Sequence, residues 1–81
     1  MAREFDHTEK MQNLYFAIGY YRKRRGMSQE QLAEVLGISR QHLAAIEAPN
    51  MNRGLSLGLL FNIAAALEIE PYLLLKLNPH Q

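Results

Sequence analysis

Only Gly37-Ile38-Ser39 separates two stretches that carry apolar residues at helical spacing. A turn that short sets two helices at an angle rather than side by side. Ser28 with Gln31 forms a capping-box pattern opening the first of them, which turns Leu32, Ala33 and Leu36 inward and stops at Gly37. Ser39 then offers a new N-cap for a helix bearing Leu43 and Ile46, and Pro49 closes it because a proline nitrogen cannot continue the ladder. Gly37 supplies a left-handed backbone position at low cost, and Ala33 is small where two helix axes approach. Ile38 plugs the angle between the helices, and Leu32, Leu36, Leu43 and Ile46 hold them on a shared core. The pattern is a helix-turn-helix, with its second helix presented outward. The same devices serve a helical corner without any ligand, so they give the shape and leave the partner open.

The flanking sequence supplies the rest of a helical domain. Asp6 followed by Glu9 reads as a capping box opening an earlier helix, with Met11, Leu14, Ile18 and Tyr21 as its stripe and Gly26 as its stop. Asn50 to Leu55 is loop-like. Ser56 caps a fourth helix through Leu57, Leu60, Ile63, Ala64 and Leu67, which Gly58 weakens by about 1 kcal/mol relative to alanine. Pro71 suits the first turn of a short fifth helix, Tyr72 to about Leu77. No stretch alternates with a period of two, so no sheet is expected. The expectation is an all-α fold, a compact bundle of about five short helices forming one domain over residues 1–81. The helix-turn-helix unit is 29–48, with a short N-terminal arm and a frayed C-terminal tail.

Composition narrows the functions such a fold can serve. A chain of 81 residues buries only about 60–65% of its unfolded surface, and a hydrophobic content of 48% suits a globular domain. There is no cysteine, which excludes disulfides, Cys-ligated zinc and thiol catalysis, and the histidines at 7, 42 and 80 lie outside any ligand spacing. No nucleophile–base or metal constellation stands out, so neither an enzyme nor a cofactor is expected. Met1 to Lys10 is charged rather than apolar, and no apolar run is long enough to cross a bilayer. A cytoplasmic, nucleoid-associated protein is the expectation. Net charge is only +1, but Arg22 to Arg53 holds six basic residues against three acidic ones, a modest local excess.

Residues Arg22 to Leu75, about two thirds of the chain, resemble the Cro and lambda-repressor-like (XRE) helix-turn-helix family of bacterial and phage transcription regulators. The resemblance rests on Arg22-Lys23-Arg24-Arg25-Gly26-Met27-Ser28-Gln29-Glu30-Gln31-Leu32-Ala33, then Leu36-Gly37-Ile38-Ser39-Arg40 and Ile46-Glu47. Ile63-Ala64-Ala65-Ala66-Leu67-Glu68-Ile69 with Pro71 matches that family's fourth and fifth helices in register. It implies a DNA-binding regulator, a repressor acting as a homodimer on a palindromic operator, with the helix after Ser39 in the major groove. Arg40, Gln41 and His42 would face base edges, and Ala45 would offer a methyl to thymine. Ser28 and Gln29 would meet a phosphate at a helix N-terminus, with Asn50, Asn52 and Arg53 as further backbone contacts. Arg22 and Glu47 match the family's ion pair, which holds the reading helix in place.

The chain departs from the family pattern in three places. Pro49 stands where relatives usually have glycine, Ala48 replaces a polar or basic residue, and the connection to Ser56 is about two residues longer. Fewer cationic contacts imply modest affinity and a shallow salt dependence. The near-neutral charge, the alanines at 44, 45 and 48 and spare aromatics motivate an alternative, an antitoxin-like or adaptor interaction module with DNA binding secondary. Phe16 and Tyr20 fall one turn apart on a face away from Leu14, Ile18 and Tyr21, with Phe5 upstream. They read equally as an enlarged core or as a dimer or partner surface. Tyr72-Leu73-Leu74-Leu75 poses the same choice, because one short helix cannot bury four consecutive bulky residues.

Overall fold

In the computed structural model, residues 5–48 and 54–76 are described, and these form five α-helices and no strand. They are α1 (Thr8–Arg24), α2 (Gln29–Leu36), α3 (Arg40–Glu47), α4 (Leu57–Ala66) and α5 (Pro71–Lys76). α1 packs against α3 and α5, α2 against α3 and α4, and α4 against α5. The core is one cluster drawn from all five: Leu14, Tyr15, Ala17 and Ile18; Leu32 and Ala33; Leu43 and Ile46; Leu60, Ile63 and Ala64 with Leu67; and Leu74. Each fully buried aliphatic among them contributes about 1.5–3 kcal/mol of burial. Met27, Leu36 and Ile38 pack against the cluster from its edge.

Three serines start three helices by the same device. Ser28, Ser39 and Ser56 have extended backbone, and their hydroxyls accept the N–H of Gln31, His42 and Leu59, each at 3.0 Å. The Gln31 side chain completes the box by accepting the Ser28 N–H at 2.8 Å. The box expected from Asp6 and Glu9 is not formed. The Asp6 carboxylate accepts the N–H of Thr8, two residues on at 2.9 Å, so His7 becomes the residue that enters α1. The Thr8 hydroxyl, then this N–H, hold the Asp6 carboxyl below its ordinary pKa.

Three of the helix ends share one pattern too. α1, α2 and α4 close with paired bonds: Met27 and Gly26 N–H to Arg22 and Lys23 O, Ile38 and Gly37 to Ala33 and Glu34, Ile69 and Glu68 to Ala64 and Ala65. The motif needs a left-handed residue. Gly26 and Gly37 provide it twice, but at the end of α4 it falls on Glu68, with φ 56°. Leu57, read from the sequence as part of the apolar stripe of α4, is instead 62% exposed. It occupies the first helical turn and shares its outward face with Phe61, while Leu60, Ile63, Ala64 and Leu67 turn inward. Pro49 and Leu77, expected to end α3 and α5, lie outside the described residues.

Candidate nucleic-acid interface

The capped starts of α2 and α3 lie together. Burial of Leu43 and Ile46 fixes the rotation of α3, leaving Arg40, Gln41 and His42 exposed on its first turn. Ala44 and Ala45 are half-buried, so the methyl of Ala45 presents less surface than the three residues before it. Ser28 is exposed and Gln29 half-buried at the start of α2. Asn50, Asn52 and Arg53 lie outside the described residues.

A polar network ties this surface to α1. Arg22 donates from Nε to Glu47 Oε2 and from Nη2 to Glu47 Oε1, both at 2.9 Å, and from Nη1 to the Met27 carbonyl at 2.7 Å. The two side chains are only 8% and 9% exposed. Such a bidentate fork is geometrically demanding, and it fixes the end of α3 against α1. Gln29 Nε2 donates to Glu47 Oε1 at 3.2 Å, while Gln29 Oε1 accepts from Arg40 Nη1 at a long 3.5 Å. One amide therefore joins the pinned carboxylate to the first side chain of α3. Gln29 is also the first residue of α2, so this amide sits at the positive end of the helix dipole.

Sequence reasoning missed Gly19. It is buried in α1, and a Cβ there would stand 3.2 Å from Glu47 Oε1. The carboxylate thus seats in a notch beside Gly19, and an added Cβ would require it to give by a few tenths of an ångström. A glycine inside an otherwise regular helix, at a cost of about 1 kcal/mol, was the available signal. Tyr15 was missed as well; it is 2% exposed and its hydroxyl has no hydrogen-bond partner among the described residues.

Two other basic residues at the end of α1, Arg24 and Arg25, have local partners. Arg24 Nη1 donates to the Tyr20 hydroxyl at 2.9 Å, which raises the Arg24 pKa, and its guanidinium lies 5.7 Å from the Tyr20 ring centre. Arg25 pairs with Glu68. Among the described residues no cluster of His, Asp and Glu could hold a metal ion, and no helix is long and apolar enough to cross a membrane.

Comparison with known proteins agrees with this geometry. No curated protein sequence matches the chain. Solved structures similar to it include the following three. The restriction-modification controller protein C.AhdI from Aeromonas hydrophila is 31% identical with a TM-score of 0.76, covering 86% of this chain and 99% of its own. The hypothetical transcription factor NHTF from Neisseria is 30% identical, TM-score 0.77, covering 99% of this chain and 88% of its own. The master regulator for biofilm formation SinR, solved in complex with DNA, is 32% identical, TM-score 0.70, covering 78% and 98%. The helix-turn-helix family profile matches residues 18–74, which span α2 to α4, most of α5 and the last seven residues of α1, Gly19 and Arg22 among them. With its corner, its capped second helix and the ion pair behind it, the chain belongs to the XRE-type helix-turn-helix family of DNA-binding transcription regulators.

Proposed function

We propose that the chain is a sequence-specific repressor that binds a two-fold operator as a homodimer. The observation that carries this reading is the exposed Arg40-Gln41-His42 turn, capped by Ser39 and backed through Gln29 by the buried Arg22–Glu47 fork. Arg40 pairs with guanine and Gln41 with adenine in the major groove, each contributing about 1–3 kcal/mol of discrimination. His42 reaches a neighbouring base or phosphate, and Ala45 offers its methyl to thymine. Ser28, Gln29, Asn50, Asn52 and Arg53 bind the DNA backbone and set the register. The half-sites lie about 34 Å apart, one turn of DNA. Occupying a promoter blocks transcription without any catalytic step, and the protein acts on the nucleoid in the cytoplasm.

The test is selection of bound sequences from a random DNA pool at moderate salt, with Arg40→Ala/Gln41→Ala as control. The expected result is an enriched palindrome that the folded control no longer selects. If folded native protein enriches nothing, the reading is wrong and the chain is an interaction module. If the control selects the same palindrome, the assignment of Arg40 and Gln41 is wrong.

A further inference from the structure

The exposed side of α1 carries aromatic rings that folding does not explain. Counted at about 100° per residue, Glu9, Gln12, Phe16, Tyr20, Lys23 and Arg24 fall within about 120° of arc, and all are exposed. Phe16 is 49% exposed and Tyr20 36%. Gly19 and Arg22, the α1 residues that meet Glu47, lie on one flank outside this arc, so α3 leaves it uncovered. The helix dipole favours Lys23 and Arg24 at the C-terminal end. It gives no reason for two aromatic rings in water, which are the mark of an interaction surface.

These side chains are held in place. Phe16 stacks on Tyr20 with ring centres 6.3 Å apart, and Tyr20 meets the half-buried Tyr21 edge-on at 5.1 Å. Tyr21 in turn packs against the core. Arg24 is clamped on the same ring, its Nη1 bonded to the Tyr20 hydroxyl at 2.9 Å and its guanidinium 5.7 Å from the ring centre. That bond uses one donor of the fork and leaves the others for a carboxylate. Lys23 beside it makes no ion pair among the described residues. Side chains already ordered lose little freedom on binding, so the patch is pre-organised.

We infer that this face docks a helix of a second, different protein, with apolar side chains on Phe16 and Tyr20 and carboxylates against Lys23 and Arg24. Charge along the arc sets the chemistry of the partner. Its C-terminal end is basic, and Glu9, about 21 Å away along the axis, is its acidic end. The partner helix therefore presents acids at one end of a short apolar stripe and a base at the other. Single-stranded nucleic acid also pairs cations with aromatic rings. Here the Tyr20 ring is already flanked along the helix by Phe16 and Arg24, which leaves a base little to stack on, and Glu9 would repel a phosphate. Docking on this arc leaves α3 clear, so the partner adds to whatever α3 holds.

Peptide selection on the full-length protein tests the inference. From a displayed library of random peptides of about 15 residues, long enough for a helix, native protein should enrich members with apolar residues at helical spacing and Asp or Glu within a turn of them. The best of these, labelled and followed by fluorescence anisotropy, should bind Phe16→Ser and Arg24→Glu more than about tenfold more weakly than native. Changing its acids to Lys should abolish binding to native protein and restore it, to within about threefold, on the Lys23→Glu/Arg24→Glu variant. Circular dichroism checks that each variant is folded; should Phe16→Ser not fold, the charge exchange at the exposed pair decides. The inference is overturned if no peptide is enriched, if the enriched peptides lack acids, or if they bind folded Phe16→Ser and Arg24→Glu as well as native. It is also overturned if a single-stranded oligonucleotide of mixed sequence displaces them from native protein, which would assign the face to nucleic acid. Operator selection reads α3 and stands or falls separately.

Discussion

Removing Arg22 should destabilise the whole domain, and by a predictable amount. Arg22→Met keeps much of the aliphatic stem but deletes three donors, two serving Glu47 and one serving the Met27 carbonyl. Glu47 is then a carboxylate with its side chain 9% exposed and only the Gln29 amide, at 3.2 Å, to meet its charge. Breaking one half of a buried ion pair costs about 3–5 kcal/mol, because the remaining charge stays desolvated. A domain of this size has a total stability of about 4–12 kcal/mol, so the loss is a large share of it. Even 3 kcal/mol lowers Tm by roughly 12–24 °C. Thermal and urea denaturation followed by circular dichroism measure it directly. The double variant Arg22→Met/Glu47→Leu should recover most of the loss, since no charge remains buried. It should still bind DNA less well than native, because Gln29 has lost its anchor. A single-variant Tm within about 4 °C of native would show that the pair is hydrated and that this reasoning is wrong.

Four further outcomes follow from particular residues. Glu68→Gly relieves a left-handed non-glycine residue and gives up only an exposed ion pair with Arg25, so it should raise stability by about 1 kcal/mol; a lower Tm would count against the strain argument. Tyr15→Phe deletes a buried hydroxyl that has no partner among the described residues and should leave Tm unchanged or raised, whereas a drop of several degrees would reveal a bond to that oxygen. Gly19→Ala improves helix propensity but sets a Cβ 3.2 Å from a carboxylate held by three donors, so denaturation should show a loss of up to about 1 kcal/mol; a gain would mean that Glu47 shifts easily. The Asp6 carboxyl has a lowered pKa in the folded state, so its stabilisation is present above the ordinary carboxylate range and fades as pH falls through the depressed value. Asp6→Asn should flatten that acid limb of the Tm–pH curve, and an unchanged limb would remove Asp6 as its source.

The parts of the fold that were readable from sequence are those with local causes. A serine followed by a donor three residues on, or a glycine after the last apolar position, acts within one turn, and Ser28, Ser39, Ser56, Gly26 and Gly37 are all of this kind. The end of α4 was less legible because a glutamate holds the position where glycine is expected, and Leu67 therefore read as helix rather than cap. Asp6 misled for a similar reason: a carboxylate can satisfy the N–H two residues on as readily as the third. Burial on α1 was under-read. A stripe of Leu14, Ile18 and Tyr21 omits Tyr15 and Ala17, which are covered because α3 and α5 both pack against this helix. In the site, Arg22 and Glu47 stand 25 positions apart, and only the family resemblance connected them in advance. Their link to Arg40 through Gln29, and the notch at Gly19, exist only once three helices have met.

The brevity of the helices has a consequence for how binding can be measured. α2 and α3 have 8 residues each and α4 has 10, shorter than the 12–15 or so that an isolated helix needs even to be marginal in water. The reading helix therefore has no existence apart from the core that Leu43 and Ile46 join, and it melts only when the domain does. Whatever grips α3 in its folded form holds the entire cooperative unit. A DNA duplex present at one hundred times its Kd should add about 2.7 kcal/mol to global stability. That is a rise of roughly 11–22 °C in the melting temperature of a domain this small. Heat becomes a reporter of sequence preference: a series of duplexes ranked by the protein's melting temperature is ranked by affinity, with no label on either molecule.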